Sequence, residues 1–229
     1  MKKSNKLLLG GFLLLLMFIS VIHISLFAKY KAGNYTVYSA QNDFGEQTMQ
    51  SFPNIAFVSV RHVPGATVRF SSTAAVEKTE NSEIQFIQKG DTLLITGKDT
   101  TEPRGGYPVV FQVPHNATIN VFNSRISFRQ GDNIVPNPVL YLANSHAYFA
   151  TPGKRFELGN LKVTATNHSS ISFEGNTHVG QLDVHLLNSA LEYAEGDFGR
   201  LSLFTDSLSR LSLQSKHLLK ADIKTITPE

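Results

Sequence analysis

From Ile119 to Leu213 the chain repeats itself about every 20 residues, and each repeat has two halves. One half is an apolar-x-apolar triplet: Leu140-Tyr141-Leu142, Leu161-Lys162-Val163, Leu182-Asp183-Val184 and Leu201-Ser202-Leu203, with Ile119-Asn120-Val121 as an earlier copy. The other half is a small polar corner followed by apolar-x-apolar. Its copies are Asn123-Ser124-Arg125-Ile126-Ser127-Phe128, Asn144-Ser145-His146-Ala147-Tyr148-Phe149, Ser169-Ser170-Ile171-Ser172-Phe173, Asn188-Ser189-Ala190-Leu191-Glu192-Tyr193 and Ser209-Arg210-Leu211-Ser212-Leu213. Alternation with period two is a strand signal, and self-similarity at a fixed period of this length signals stacked, quasi-one-dimensional architecture. The fold class expected is all-β: a short parallel β-helix or β-solenoid with rungs of about 20 residues.

The alternation assigns the two faces of each strand. Leu140, Leu161, Leu182 and Leu201 share one inward position, and Leu142, Val163, Val184 and Leu203 the next. In the second half Ile126/Phe128, Ala147/Phe149, Ile171/Phe173, Leu191/Tyr193 and Leu211/Leu213 point inward. Tyr141, Lys162, Asp183 and Ser202 point outward, as do Ser127, Tyr148, Ser172, Glu192 and Ser212. Burying an aliphatic or aromatic side chain is worth roughly 1.5–3 kcal/mol, but a single rung has nothing to bury against. The rungs must stabilise one another. Asn123, Asn144 and Asn188 occupy equivalent corners, where Asn tolerates left-handed backbone and can form stacked side-chain ladders. Far-side turns fall at Gly131-Asp132, Gly153, Gly159, Gly175, Gly180, Gly196-Asp197 and Gly199.

Ahead of the repeats, Met1–Lys6 is a short basic cap and Leu7–Ala28 is 22 residues without a formal charge. A bilayer core of about 30 Å needs roughly 20 apolar residues, so this stretch is long enough to span. Leu26-Phe27-Ala28 is a poor small-x-small cleavage site, which favours an uncleaved signal-anchor over a cleaved signal peptide. Lys2, Lys3, Lys6 and the amino terminus outnumber Lys29 and Lys31, so the N-terminus is expected in the cytoplasm and the body outside it. His23 is expected to be a neutral residue near the outer end of that helix. The domain plan is a basic cap and transmembrane anchor over 1–28, a polar linker over 29–51, a β-rich part over 52–114, solenoid repeats over 115–217, and a capping tail over 218–229. Within 52–114 short β-branched runs alternate with turns such as Lys89-Gly90-Asp91 and the loop Thr100–Gly106.

Composition narrows the chemistry. Three of the 21 basic residues lie in the first 28 positions, which hold no acid, so the rest of the chain balances 18 basic against 18 acidic residues. A neutral body lacks the basic face expected of a nucleic-acid binder, and no nucleic-acid partner is expected. There is no cysteine, which removes disulfides, thiolate metal sites and a nucleophilic thiol.

The order Phe52–Val60, Val68–Phe70, Gly90-Asp91-Thr92-Leu93-Leu94-Ile95 and then about five rungs of corner-Ser-x-apolar-x-apolar resembles the auto-transporter adhesin head, or GIN-domain, family over roughly Phe52–Leu219. That family's rungs usually carry Gly before the corner Ser, where this chain has Asn or another residue. The resemblance implies a surface or periplasmic β-solenoid of the bacterial envelope, and it brings no catalytic residues with it.

The candidate chemistry is sparse. His115, His146, His168, His178, His185 and His217 show no spacing that puts two imidazoles on one ion, and no metal site or cofactor is expected. His146 aligns with Arg125, Ser170, Ala190 and Arg210; His185 aligns with Ala143, Thr164 and Phe204. Glycan-cleaving β-helices need paired carboxylates. Asp183, Glu192, Glu195 and Asp197 are the acids to watch, with Arg200 and His185 as possible neighbours, but they fall on different rungs and read as solvated turns. No catalytic residue is expected. Outward Tyr141, Tyr148, His185 and Phe204 are the expected ligand-facing surface, with a glycan or envelope protein as partner, because aromatic side chains favour recognition surfaces. The function expected is non-catalytic surface binding, adhesion or envelope scaffolding. Its alternatives are a carbohydrate-active β-helix lyase or hydrolase and, more remotely, a sensor ectodomain.

Overall fold

A computed structural model describes residues 3–31, 47–79, 84–97, 109–151 and 153–226. The chain forms two compact units, Met1–Asp43 and Phe44–Glu229. Most of the expected linker, the loop Thr100–Gly106 and the last three residues of the expected tail lie outside the described residues.

The first unit contains helix α1 (Lys3–Lys31), whose 29 residues run past the boundary expected at 28. Its described side chains are apolar all round and exposed, Leu14 at 70% and Ile24 at 68% among them. Two of the three polar side chains within that run, Ser20, His23 and Ser25, bond the helix's own carbonyls. Ser20 Oγ donates to the Leu16 carbonyl at 2.8 Å, and His23 Nδ1 lies 3.0 Å from the Ile19 carbonyl oxygen. Among the described residues no helix is long and apolar enough to cross a membrane.

The second unit is a β-solenoid. Its strands are β1 (Gln47–Phe52), β2 (Phe57–Arg61), β3 (Ala66–Ser71), β4 (Ala74–Thr79), β5 (Gln85–Lys89), β6 (Thr92–Thr96), β7 (Val109–Pro114), β8 (Thr118–Phe122), β9 (Arg125–Arg129), β10 (Val139–Ala143), β11 (His146–Phe149), β12 (Phe156–Thr166), β13 (Ser170–Phe173), β14 (Thr177–Leu187), β15 (Ala190–Ala194), β16 (Asp197–Thr205) and β17 (Arg210–Leu213). The short helix α2 (Ser215–Leu218) and strand β18 (Ala221–Thr225) follow. Sheet I runs β1-β4-β7-β3-β9-β11-β13-β15-β17 and sheet II runs β18-β16-β14-β12-β10-β8-β2-β6-β5. From β8/β9 to β16/β17 the chain makes five successive parallel turns, as the repeat predicts.

The inner faces of both sheets share one hydrophobic core. Phe128, Phe149 and Phe173 stack along the axis with ring centroids 4.6 and 4.7 Å apart. Offset stacking adds about 0.5–1.5 kcal/mol per pair beyond the area buried. The corners close as their residue types require. Asn123, Asn144 and Asn188 all adopt left-handed backbone (φ 47°, 47° and 49°), and Asn144 Nδ2 donates to Asn123 Oδ1 at 2.8 Å. Beside them runs a buried serine ladder. The N–H groups of Ser124 and Ser145 each donate to the next corner's hydroxyl, Ser145 Oγ and Ser169 Oγ, at 3.1 Å. Buried hydroxyls are costly unless paired, and here they pair rung to rung.

Several expectations are corrected. The division at 114 is no break, because β2 pairs in parallel with β8 and β3 with β9, so the 52–114 strands continue the same sheets. Residues 47–51 are strand rather than linker; β1 pairs antiparallel with β4. The tail expected from 218 contains β18, which adds a parallel strand beyond β16. Gly159, Gly180 and Gly199 lie inside strands, not turns. A Cβ on Gly180 or Gly199 would come within 2.9 or 2.6 Å of the preceding glycine's carbonyl oxygen. Tyr193 is 69% exposed rather than inward. A bulge at positive φ turns it out, and Ala194 takes the place opposite Phe173.

One alignment also moves. Leu140 faces Val163, not Leu161, and Ala143 faces Thr166. The chain spends two more residues between Phe149 and Val163 than between Phe128 and Leu140. A two-residue slip leaves every side chain on its own face, so alternation alone cannot detect it.

Candidate functional site

The corrected register builds a face. On the outer side of sheet II, Ser59, Asn120, Tyr141, Thr164, His185, Phe204 and Lys224 follow one another across seven paired strands. From Ser59 to His185 each is an outward residue flanked by buried neighbours, such as Leu140 and Leu142 around Tyr141, and Phe204 and Lys224 continue the column. Three of the four expected ligand-facing residues therefore share one column. The fourth does not: Tyr148 lies on sheet I, between Ser127 and Ser172.

Two grooves adjoin on this face and share Tyr141 and Thr164. The first, of about 420 Å³, is lined by Ser59, Arg61, Asn120, Phe122 and Tyr141 with neighbouring backbone. The second, of about 330 Å³, carries Lys162, Asp183, His185, Phe204, Asp222 and Lys224. His185 and Phe204 stack face to face with centroids 4.3 Å apart, and Lys224 Nζ sits 5.5 Å above the Phe204 ring. Phe122 is 44% and Tyr141 46% exposed, so both rings stand in solvent. Asp222 is ion-paired to Lys224 at 3.0 Å, and Asp183 accepts a bond from Gln181 Nε2 at 3.0 Å. Arg61 is the one formally charged residue lining the first groove and has no ion-pair partner among the described residues; its Nε reaches Ser59 Oγ at 3.4 Å.

Phe122 and Arg61 were within reach of the sequence. Val58, Val60, Ile119 and Val121 point inward, so parity alone turns Arg61 and Phe122 outward. What parity could not supply is that β2 lies directly beside β8, which puts the two residues in register.

The four acids to watch do not converge. Asp183 faces out from sheet II in the second groove, while Glu192 sits on sheet I opposite Ser172. Asp197 opens β16 and pairs with His178 Nδ1 at 3.1 Å. Glu195 follows β15, its N–H bonded to the Phe173 carbonyl. Of the two basic neighbours considered, His185 lies in the groove with Asp183, and Arg200 pairs in the strand ladder with Gln181. Sheet I instead brings together a group the sequence did not single out. Tyr148 Oη donates to Glu174 Oε1. That bond, then burial, then the Glu174 and Glu195 charges push the phenol up to about 12. A phenol so held is locked as a donor and is a poor base at neutral pH.

The His146 column is as expected, running Arg125, His146, Ser170, Ala190, Arg210. His146 Nδ1 bonds Ser170 Oγ. Burial, reinforced by Arg125 and opposed by Glu192, holds its imidazole below the ordinary value. Among the described residues no group of three His, Cys, Asp or Glu side chains could hold a metal ion.

Comparison with protein-family models, with curated proteins and with solved structures finds no match to this chain.

Proposed function

We propose that this is a non-catalytic, membrane-anchored envelope protein that binds a partner, as an adhesin or scaffold, through the outer face of sheet II. One observation carries the reading: Tyr141, His185 and Phe204 fall in a single column along two adjoining grooves. Exposed rings with polar neighbours are what recognition surfaces concentrate. The anchor rests on Leu7–Ala28 behind Lys2, Lys3 and Lys6. A helix apolar on every side needs an apolar surrounding. The basic end stays in the cytoplasm, and the solenoid is periplasmic or at the cell surface. The resemblance to GIN-domain heads points the same way.

A second reading, a carbohydrate-active β-helix enzyme, has one observation in its favour. Asp183 and Asp222 line the same groove two paired strands apart, about 9–10 Å along the stack and near the upper limit for an inverting acid–base pair. Such a pair needs one carboxyl kept protonated by an apolar enclosure. Asp222 is instead 62% exposed in its side chain and ion-paired.

The test uses the full chain in lipid nanodiscs, with envelope polysaccharides and envelope proteins as candidate partners. The Y141A/F204A double variant is expected to lose retention at least about tenfold, as truncating exposed aromatic anchors does, and Tyr148→Ala to keep it. Equal retention by both variants would sink the reading. Release of new reducing ends by wild type but not by D183N or D222N would establish the enzyme instead.

A further inference from the structure

We infer that the sheet II face takes a linear polysaccharide bearing carboxylates, a uronic-acid-containing glycan, with its acid group on Arg61. This rests on the binding role proposed above and adds the ligand's chemistry. The members of the column recur once per strand, about 4.8 Å apart, close to the length of one sugar in an extended polysaccharide. Tyr141 and His185 are two strands apart, with Thr164 between them. That spacing offers a ring, then a hydroxyl, then a stacked ring pair. A pyranose has matching surfaces: an apolar C–H face for a ring and a hydroxyl rim for Asn120, Thr164 and Ser202.

Charge selects among glycans. In the second groove Asp222 is neutralised by Lys224, and Lys162 stands next to Asp183 in the pairing. In the first groove Arg61 has no counter-charge among the described residues. A guanidinium next to Phe122 in the pairing, in one groove with Tyr141, suits a planar carboxylate, which it can bind through two parallel N–H groups. Single-stranded nucleic acid also combines stacking with negative charge. The body of the chain carries no net charge to draw in a phosphate on every nucleotide. One guanidinium in the first groove suits a polymer with spaced charges, such as a glycan acidic at alternate sugars.

The experiment is calorimetric titration of the full chain in nanodiscs with oligomers of polygalacturonate, alginate and hyaluronate. Methyl-esterified polygalacturonate, the same backbone without charge, and oligo-dT are the comparators. At least one acidic oligomer is expected to bind, more weakly as salt rises. Arg61→Gln should weaken that binding at least about tenfold, down to the level of the esterified chain. Equal binding of acid and ester, with Arg61→Gln silent, overturns the carboxylate inference while leaving sheet II as the binding face. Binding that survives Y141A/F204A overturns both. Preference for oligo-dT, or no binding to any of the three acids, overturns the inference.

Discussion

Asn144 illustrates how one residue type sets a corner. Its backbone is left-handed at φ 47° and its amide reaches Asn123. Left-handed backbone costs most L-residues roughly 1–2 kcal/mol and costs glycine nothing. Asn144→Ala is therefore expected to destabilise by about 2 kcal/mol once the lost amide bond is included. Asn144→Gly should forfeit the bond alone and cost less. Urea midpoints for the two variants decide it, and Ala equal to or milder than Gly would contradict the account. This corner chemistry was legible because Asn-Ser recurs with the repeat. The last corner was not, because Asp206 does the work there in a different guise. It accepts from Asn188 N–H, Leu208 N–H and Ser209 Oγ. The Ser209 hydroxyl foremost, then those N–H groups, hold its carboxyl below the usual range against the opposing effect of burial.

Helix α2 and its His217 close the C-terminal end of the core. The side chain is 3% exposed, its ring meets Phe198 at 4.8 Å, and its Nε2 is buried with no partner in the structure. Burial first, then Lys216, holds the imidazole below the ordinary value, with Lys220 adding to this. A hydrogen bond to Gly196 and the Asp197 charge oppose it. The sign follows from linkage. The unfolded chain takes up this proton near pH 6.5 and the folded chain only at lower pH, so protons favour unfolding. Stability from this group is complete above about pH 6.5 and falls as pH drops from there towards the folded value. Melting of wild type against His217→Phe should diverge between pH 7 and 5, with wild type losing more; parallel curves would refute the cap. The strand elements themselves could be read from alternation, but the glycines inside them could not. Gly180 reads as a turn in sequence, yet it lies inside β14, where the Gly159 carbonyl leaves no room for a Cβ.

Across the whole molecule, the rungs do not stack in chain order. β2/β3 lie between β6/β7 and β8/β9, so a later turn of the chain packs outside an earlier one. Periodicity reports that rungs exist and which way their side chains face. It carries no record of which rung lies beside which, nor of a slip by two residues, and the column on the outer side of sheet II depends on both. Parity turns Tyr141, Tyr148, His185 and Phe204 outward alike, but it does not separate the first, third and fourth, on sheet II, from Tyr148 on sheet I, because the two sheets' outer faces look alike in sequence. The chain has no cysteine, so its register can be measured directly by paired cysteine substitution. Tyr141 and Thr164 are direct partners, whereas Lys162 is opposite Val139. One strand across and two residues along is about 8 Å, beyond the roughly 7 Å that a disulfide can bridge without backbone movement. Mild oxidation should cross-link Tyr141→Cys with Thr164→Cys and leave Tyr141→Cys with Lys162→Cys unbridged. The reverse result would put Leu140 opposite Leu161, break the column from Tyr141 to Phe204, and contradict the account.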